Sequence, residues 1–295
     1  MKNIFTYPTA LLLGLGLLAA PKAEAQQFSK RKQYNTIGFS LNAMNYFGDV
    51  TPETNFTSFR FGATRPNVGV SITRRFRPRV SGRLALSYGR ITGDDSKAAN
   101  ENSNDGRFRY NRNMSFRNDI LEASGVIIVD LIENRNNYLK RPDFVPYVFA
   151  GVAGFYHNPK GLYSNGEYVA LQPLKTEGTS YGQTQFSIPF GGGVRYRINR
   201  NFDASLEIGW RKTFTDYLDD VSGNYLSADA VAGYTETARY FSGVGAGTIT
   251  RSLSSPYEDF NAGKRGESSD NDWYIVTGLS LNYILTPRIK NPKFR

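Results

Sequence analysis

The fold is decided by one stretch of the chain, residues 186–223, which reads FSIPFGGGVRYRINRNFDASLEIGWRKTFTDYLDDVSG. Apolar and polar side chains alternate along its first half, and they alternate again after the short polar turn 199–201. A period of two residues predicts two β-strands, each with one apolar and one polar face. If Ile198 pairs with Phe202 across the turn, Arg197 lies opposite Asp203, which is a favourable cross-strand pair.

Two architectures contain such a hairpin. In a soluble sandwich the apolar face belongs to the core, whereas in an outer-membrane barrel it meets lipid and the polar face lines the interior. The polar face here carries arginines, a glutamate and glycines deep inside long strands, which suits a small barrel lumen. Aromatic side chains near both strand ends, as in interfacial girdles, also favour the membrane barrel. They are Phe190, Tyr196, Phe202 and Trp210.

The first 25 residues have the features of a secretory signal peptide. Lys2 gives a positive start, residues 10–20 form a short apolar run, and Ala23-Glu24-Ala25 is a small-residue cleavage site. This pattern predicts cleavage after Ala25 and a mature domain over 26–295. The apolar run is too short for a membrane-spanning helix, and a buried N-terminal helix is the alternative.

The composition limits the classes of function. The chain has no cysteine, which excludes disulfides and thiolate metal sites. Its formal net charge of +10 raises nucleic acid as a partner, but an exported protein seldom meets any, so we expect no nucleic-acid binding. The glycine- and aromatic-rich, mildly polar composition is typical of membrane barrels, because only alternate strand residues face lipid.

The alternation predicts an all-β fold, a single eight-stranded antiparallel transmembrane barrel. The predicted strands are residues 34–47, 58–75, 80–92, 113–131, 144–157, the two strands of the hairpin above, and 272–286. The alternation in the second strand is interrupted at Arg65-Pro66, which predicts a bulge. The fifth strand is apolar on both faces, so its inward side stays open. The longest loop is predicted over 218–271, and a basic tail over 287–295 ends the chain.

Short and long connections alternate along this predicted barrel. Because bacterial barrels have short periplasmic turns and long extracellular loops, both termini are expected in the periplasm of a protein located in the outer membrane and contacting its lipids. An eight-stranded barrel is filled by its own side chains, so a diffusion porin is not expected.

Charge is distributed unevenly between the two ends. Basic residues gather at the periplasmic end, and carboxylates gather in the outer loops. One interpretation is that both rims are simply solvated. The other is a basic periplasmic surface that docks an acidic partner, since complementary potentials give specificity and faster encounter. The candidate docking residues are Arg77, Arg79, Arg141, Arg200, Lys290 and Lys293.

No motif predicts catalytic, cofactor-binding or metal-binding residues. The single histidine, His157, has no nucleophile fixed beside it by a motif, so it is expected to anchor a loop. Asp216, Asp219 and Asp220 could offer oxygen ligands to a cation, but they lack the spacing of a calcium loop, and a cluster that caps the strand end is the alternative. Residues 191–193 are glycines without a following helix, so they are expected to admit large lumen neighbours or let the strand curve.

Six segments carry a resemblance to a known family. They are YVFAGVAGFYHNP (147–159), LQPLKTEG (171–178), SIPFGGGVRYRI (187–198), TFTDYLDDVSGNY (213–225), RIKNPKF (288–294) and NYFGD (45–49). Together they resemble the PorG-like outer-membrane barrels, components of the type IX secretion and gliding machinery. Asn291 departs from the pattern, because many relatives carry Cys there.

The resemblance implies a non-enzymatic, monomeric barrel that anchors a periplasmic lipoprotein ring of the secretion system to the outer membrane. The alternative is a structural or adhesive surface barrel that acts through its extracellular loops.

Overall fold

The computed structural model describes residues 32–50, 61–98, 112–227, 229–243 and 264–286. The predicted signal peptide and the basic tail lie outside the described residues. None of the helices within these ranges is long and apolar enough to cross a membrane.

Eight long strands and one short strand form a single antiparallel sheet. The strands are β1 Asn35–Phe47, β2 Arg65–Arg75, β3 Val80–Asp94, β4 Ser115–Asp130, β5 Phe144–Leu162, β6 Tyr168–Ala170, β7 Thr184–Arg197, β8 Phe202–Thr213 and β9 Trp273–Leu285. Within the described ranges, short α-helices are α1 Asp95–Ala98 and α2 Glu236–Phe241, and 3-10 turns occur at Phe61–Ala63, Tyr138–Lys140 and Gln172–Leu174.

The eight long strands close into a barrel. The first strand, β1, pairs with the last, β9, and β4 pairs with β5, so the long strands form a complete ring. The three-residue strand β6 pairs only with the end of β5 and stays outside the ring. The closed ring confirms the predicted fold class. Closure also gives each of the eight long strands a neighbour on both sides, which is a condition for strands to cross a bilayer.

The register gives the stagger of the barrel. Following paired residues around the ring from Asn35 leads in turn to Arg74, Gly82, Ile127, Ala150, Phe190, Trp210, Ile275 and finally Asn45. The path returns to β1 ten residues beyond its start, between Asn35 and Asn45. Such a stagger requires strands tilted by about 35–45° from the barrel axis.

The exterior is a belt of exposed apolar side chains. On β1, Phe39 and Leu41 are 51% and 59% exposed, and on β3 Leu84 is 65% exposed. On β4, Glu122 is buried inside the barrel and Leu121 is exposed outside. A closed antiparallel barrel with an apolar exterior and a polar interior is the architecture of outer-membrane barrels.

Pairing resolves the strand whose sides the sequence left open. Along β5 the odd-numbered side chains, including Tyr147 and Phe149, are buried inside the barrel. The even-numbered ones, including Val148 and Val152, are exposed outside. Two large aromatic rings therefore occupy the lumen beside the glycines of β7 with which their residues pair.

The glycines of β7 make room for these rings. A Cβ on Gly191 would lie 3.0 Å from the Phe149 ring, and one on Gly193 would lie 2.9 Å from the Tyr147 ring. Both distances are shorter than ordinary van der Waals contacts, so a side chain at either position would collide. The prediction that these glycines admit large lumen neighbours is confirmed.

Two predicted details of the strands are wrong. The second strand begins at Arg65 rather than Ser58, and its register with β1 is continuous through Ala43–Pro66, so Arg65-Pro66 forms no bulge. The proline is accommodated because it stands at the start of the strand and pairs on one side only. The fifth strand is longer than predicted and reaches Leu162, where β6 pairs with it.

Candidate functional site

The two ends of the barrel differ in their connections. The turn end carries the short connections 76–79, 131–143 and 198–201, and the loop end carries the longer ones. The predicted docking residues that the structure describes all lie at the turn end. Lys290 and Lys293 lie outside the described residues.

Three of the predicted docking residues project from the turn end. Arg77 and Arg79 are exposed in the turn between β2 and β3, and Arg200 is exposed in the turn between β7 and β8. Within the described ranges of the chain, none of these three side chains forms an ion pair. Their charges are directed outward into solvent.

Arg141 is buried, which corrects the prediction that it belongs to the exposed docking surface. It is 5% exposed, and its Nη2 and Nε atoms lie 2.7 and 3.0 Å from Oδ1 of Asp203. It also donates to the backbone carbonyls of Tyr138, Asn199 and Arg200 at 2.6, 2.7 and 2.9 Å. The inward carboxylate and the inward turn carbonyls attract the guanidinium, so Arg141 holds the turn that presents Arg200.

The predicted opposition of Arg197 and Asp203 is confirmed by the strand register. The ion pair, however, is formed elsewhere, because Asp203 binds Arg141 while Arg197 reaches Asp143 at 3.4 Å. Residues that are opposite in a sheet need not be electrostatic partners when a third group reaches between them.

A second buried cluster supports the turn between β2 and β3. Asp130 binds Arg75 at 2.8 Å and Arg195 at 2.5 Å, and Arg75 also donates to the carbonyl of Pro78. The amide of Asp130 donates to the carbonyl of Arg79 at 2.8 Å. The turn that carries Arg77 and Arg79 is therefore fixed to the end of β4.

The turn end has an excess of positive charge. Only Glu133 and Asp143 oppose the outward cations described at this end, and they pair with Arg135 at 3.0 Å and with Arg197 at 3.4 Å. The cations with an exposed side chain are Arg74, Arg77, Arg79, Arg135, Lys140 and Arg200. We call these six residues the cationic rim.

Inside the barrel, charged groups occur in hydrogen-bonded sets. Glu207 binds Arg83 and accepts a hydrogen bond from the Tyr147 hydroxyl at 2.6 Å. Nearer the loop end, Glu122 pairs with Arg211 at 3.4 Å and accepts from the Tyr274 hydroxyl at 2.6 Å. Buried charges are tolerated when they are paired and hydrogen-bonded in this way. The lumen is thus crossed by polar layers.

Loop residues cover the loop end of the barrel. Val50, Leu218 and Val221 are at most 1% exposed and pack in the same apolar cluster as Tyr46. The Tyr46 hydroxyl lies 2.7 Å from a carboxylate oxygen of both Asp219 and Asp272, which sit in different parts of the chain. The loops therefore form a packed cap over the lumen.

The three aspartates considered as cation ligands belong to this cap. Asp220 accepts hydrogen bonds from the hydroxyls of Thr176 and Tyr181, both at 2.6 Å. Burial raises the pKa of Asp220 to about 6 and the pKa of Asp216 to about 7. Burial, with the nearby charge of Asp49, also raises the pKa of Asp219 well above its ordinary value. Within the described ranges, no three His, Cys, Asp or Glu side chains are arranged to hold a metal ion.

Two buried arginines join the loops, and no pattern in the sequence predicts them. Arg265 donates to Glu177 and to the carbonyl of Asp220, both at 2.7 Å. Arg112 pairs with Asp95 at 2.8 Å and donates to the carbonyl of Arg265 at 2.7 Å. Both lie in connections between strands, where no period-two pattern separates a buried charge from a solvated one.

His157 is fully buried at the loop end of β5, and its contacts are those of an anchor. Its Nε2 lies 3.3 Å from the carbonyl of Gly182, its Nδ1 lies 3.4 Å from the Asn118 amide, and its ring stacks on Tyr181 with centroids 6.1 Å apart. When the proton is on Nε2, this nitrogen donates to the Gly182 carbonyl and Nδ1 accepts from the Asn118 amide. His157 thus ties β5 to the loop before β7, as the sequence predicted.

Residues 23–230 match a family model described as "Domain of unknown function (DUF6089)". The chain belongs to the DUF6089 family. The matched region contains Arg77, Arg79, Arg141 and Arg200 together with the buried groups that fix their turns. The matched region of the chain ends at residue 230, so β9, the strand that closes the DUF6089 barrel, lies outside it.

No curated protein matches this DUF6089 chain. Among solved structures, Ail, the attachment invasion locus protein of Yersinia pestis, is similar at 7% identity, with 86% of this chain and 99% of that chain covered and a TM-score of 0.40. OprG from Pseudomonas aeruginosa is similar at 11% identity, with 87% and 98% covered and a TM-score of 0.39. Neisserial surface protein A is similar at 10% identity, with 84% and 96% covered and a TM-score of 0.38.

Proposed function

We propose that this DUF6089 protein is a non-enzymatic outer-membrane barrel whose turn end faces the periplasm and captures an acidic periplasmic partner. The cationic rim carries this proposal, because its arginines extend from turns that are fixed by the buried Arg141 and Arg75. The orientation follows from the rule that bacterial barrels place short turns in the periplasm. The apolar belt meets the membrane lipids.

The chemistry of the partner follows from the charge of the rim. Exposed arginines offer forked donors that match carboxylates, so the partner presents Asp and Glu side chains. Attraction between exposed charges is screened within about 8 Å at physiological salt, so binding weakens as salt rises. Because the turns that carry the rim are braced in advance, little backbone entropy is lost on binding.

The resemblance to the PorG-like barrels supports a more specific role. We propose that the protein is an accessory, anchoring component of type IX secretion and that its partner is a lipoprotein of the periplasmic ring. Lys290 and Lys293, in the basic tail, are proposed to add to the same surface.

Affinity purification from gently crosslinked outer membranes tests the docking proposal. The double variant Arg77→Glu and Arg79→Glu reverses two rim charges without touching a buried group, and it is expected to reduce recovery of the partner about tenfold or more. The matched control is Lys175→Glu with Arg239→Glu, which makes the same charge change on exposed residues at the loop end.

Folding is checked by the mobility difference between heated and unheated barrel on a denaturing gel. Unchanged recovery from a folded Arg77→Glu, Arg79→Glu barrel would contradict the docking proposal. Recovery of a partner that is not a component of the secretion ring would remove the type IX assignment and leave the docking surface intact.

A further inference from the structure

Two cations face each other on the outer wall of the barrel near its loop end. Arg117 on β4 and Lys160 on β5 are directly opposite in the strand register. Both side chains have the parity of the outward residues, since Leu121 and Tyr156 on the same faces are each 45% exposed. This pair lies at the opposite end of the barrel from the cationic rim.

The pair lacks a counter-charge within the described part of the chain. Like charges directly opposite in a sheet repel, so such a pair destabilises the sheet unless an anion lies near it. The adjacent outward carboxylate, Asp119, is engaged with Arg90 at 2.5 Å. No ion pair of the described residues includes Arg117 or Lys160, and the Nε of Arg117 is buried without a hydrogen-bond partner.

The Arg117 side chain is held in place by an aromatic ring. Its guanidinium carbon lies 3.5 Å from the centroid of Tyr168, a residue of the short strand β6. This cation–π contact restrains the arginine at the wall of the barrel without neutralising its charge. Tyr168 of β6 thus contacts the cation that lies opposite Lys160.

The depth of the pair corresponds to the membrane headgroups. Tyr88, Leu121 and Tyr156 are neighbours across three strands and form an exposed row containing two of the aromatic residues typical of an interfacial girdle. Arg117 lies four residues beyond Leu121 towards the loop end. At about 3.3 Å per residue and a tilt of about 40°, the pair stands about 10 Å further out than the row.

We propose that Arg117 and Lys160 bind the phosphate of a phosphorylated glycolipid in the outer leaflet, of the lipid A class. A phosphate supplies the missing negative charge and accepts from both a planar guanidinium and an ammonium. On the outer wall, one polar row, Asp119 opposite Asn158, separates the pair from the apolar belt, so a lipid whose phosphate lies on the pair extends its acyl chains past this row onto the belt. A soluble anion would gain no such contact.

Native mass spectrometry of the detergent-solubilised, full-length barrel tests this proposal. The probes are lipid A and the same lipid A after enzymatic removal of its phosphates. The unmodified protein is expected to retain the phosphorylated probe. The affinity of the double variant Arg117→Gln and Lys160→Gln for this probe is expected to be lower by a factor of about ten or more. Lys160→Gln alone leaves Arg117 on Tyr168 and is expected to produce a smaller loss.

The control is Lys175→Gln with Arg239→Gln, an equal charge change on exposed loop-end residues away from this wall, which is expected to bind normally. Equal binding of the dephosphorylated probe by the unmodified protein would overturn the proposal, as would normal binding by a folded Lys160→Gln, Arg117→Gln barrel. Complete displacement of lipid A by millimolar inorganic phosphate would also overturn it, because the pair would then be a site for the free ion.

Discussion

Replacing Arg141 by methionine tests whether the turn end is braced from inside. The substitution leaves Asp203, which is 2% exposed, without its cation, and it removes a hydrogen-bond donor from four backbone carbonyls. Breaking a buried ion pair by removing one partner costs about 3–5 kcal/mol. We therefore expect the free energy of unfolding to fall by about that amount.

The assay is urea unfolding of the barrel in lipid vesicles, followed by the fluorescence of its two tryptophans and extrapolated linearly to zero denaturant. The matched control is Arg197→Met. Arg197 also lies at the turn end, but its partner Asp143 is 78% exposed and 3.4 Å away. An ion pair with one exposed partner contributes about 0–1 kcal/mol, and Arg197 also donates one hydrogen bond to the carbonyl of Arg141 at 3.0 Å, so the control is expected to cost clearly less than Arg141→Met.

The double variant Arg141→Met, Asp203→Asn separates the two parts of the loss. Removing the uncompensated carboxylate is expected to restore part of the stability, while the unsatisfied carbonyls keep the rest lost. A loss of less than about 1 kcal/mol for Arg141→Met, no larger than the Arg197→Met control, would refute the reasoning that this buried arginine holds the turns together.

Two further predictions concern the lumen and the cap. Gly191→Ala is expected to cost about 1–3 kcal/mol in the same urea assay, because its Cβ would meet the backbone of β8 and the Phe149 ring. Gly192→Ala should cost less than Gly191→Ala, since its nearest new contact is 3.3 Å, and equal losses would contradict the packing argument. Burial raises the pKa of Asp216 from 3.8 to about 7. At a pH between these two values the folded cap holds a proton on Asp216 that the unfolded chain releases, so the stability of the cap falls as the pH rises from about 4 to about 7. The protection factors of residues 216–223, which correct for the base-catalysed rise of intrinsic amide exchange with pH, should therefore fall over that range. Asp216→Asn should weaken this dependence, and the remainder comes from Asp219 and Asp220, whose pKa values are also raised. A protection profile that Asp216→Asn leaves unchanged would contradict the assignment.

The strands could be predicted from sequence because their signal is local. Each barrel strand meets lipid on one face and the lumen on the other, so side chains alternate with a period of two. β5 is the exception, since the inward Tyr147 and Phe149 are as apolar as their outward neighbours. Only pairing with β4 and β7 assigned its faces.

The candidate site was predicted in part. Basic residues at the turns were visible in the sequence, and Arg77, Arg79 and Arg200 are exposed as a docking surface requires. Arg141 is also an arginine in a turn, yet it is buried and forms an ion pair with Asp203, which is 62 residues away in the chain. Whether an arginine at a turn is exposed for docking or buried in an ion pair depends on a carboxylate that is distant in the sequence, so local sequence does not decide it.

By itself, the sequence determined the all-β class, the eight strands of the barrel and the apolar exterior, because these follow from short-range periodicity. It left two roles open for the β7 glycines and did not predict β6. The tertiary structure decided which charges are neutralised inside and which remain outside. It placed Asp130 between Arg75 and Arg195, and it left Arg117 opposite Lys160 on the wall. The reason is physical: alternation is set by neighbours along the chain, whereas charge pairing is set by the stagger at which the barrel closes.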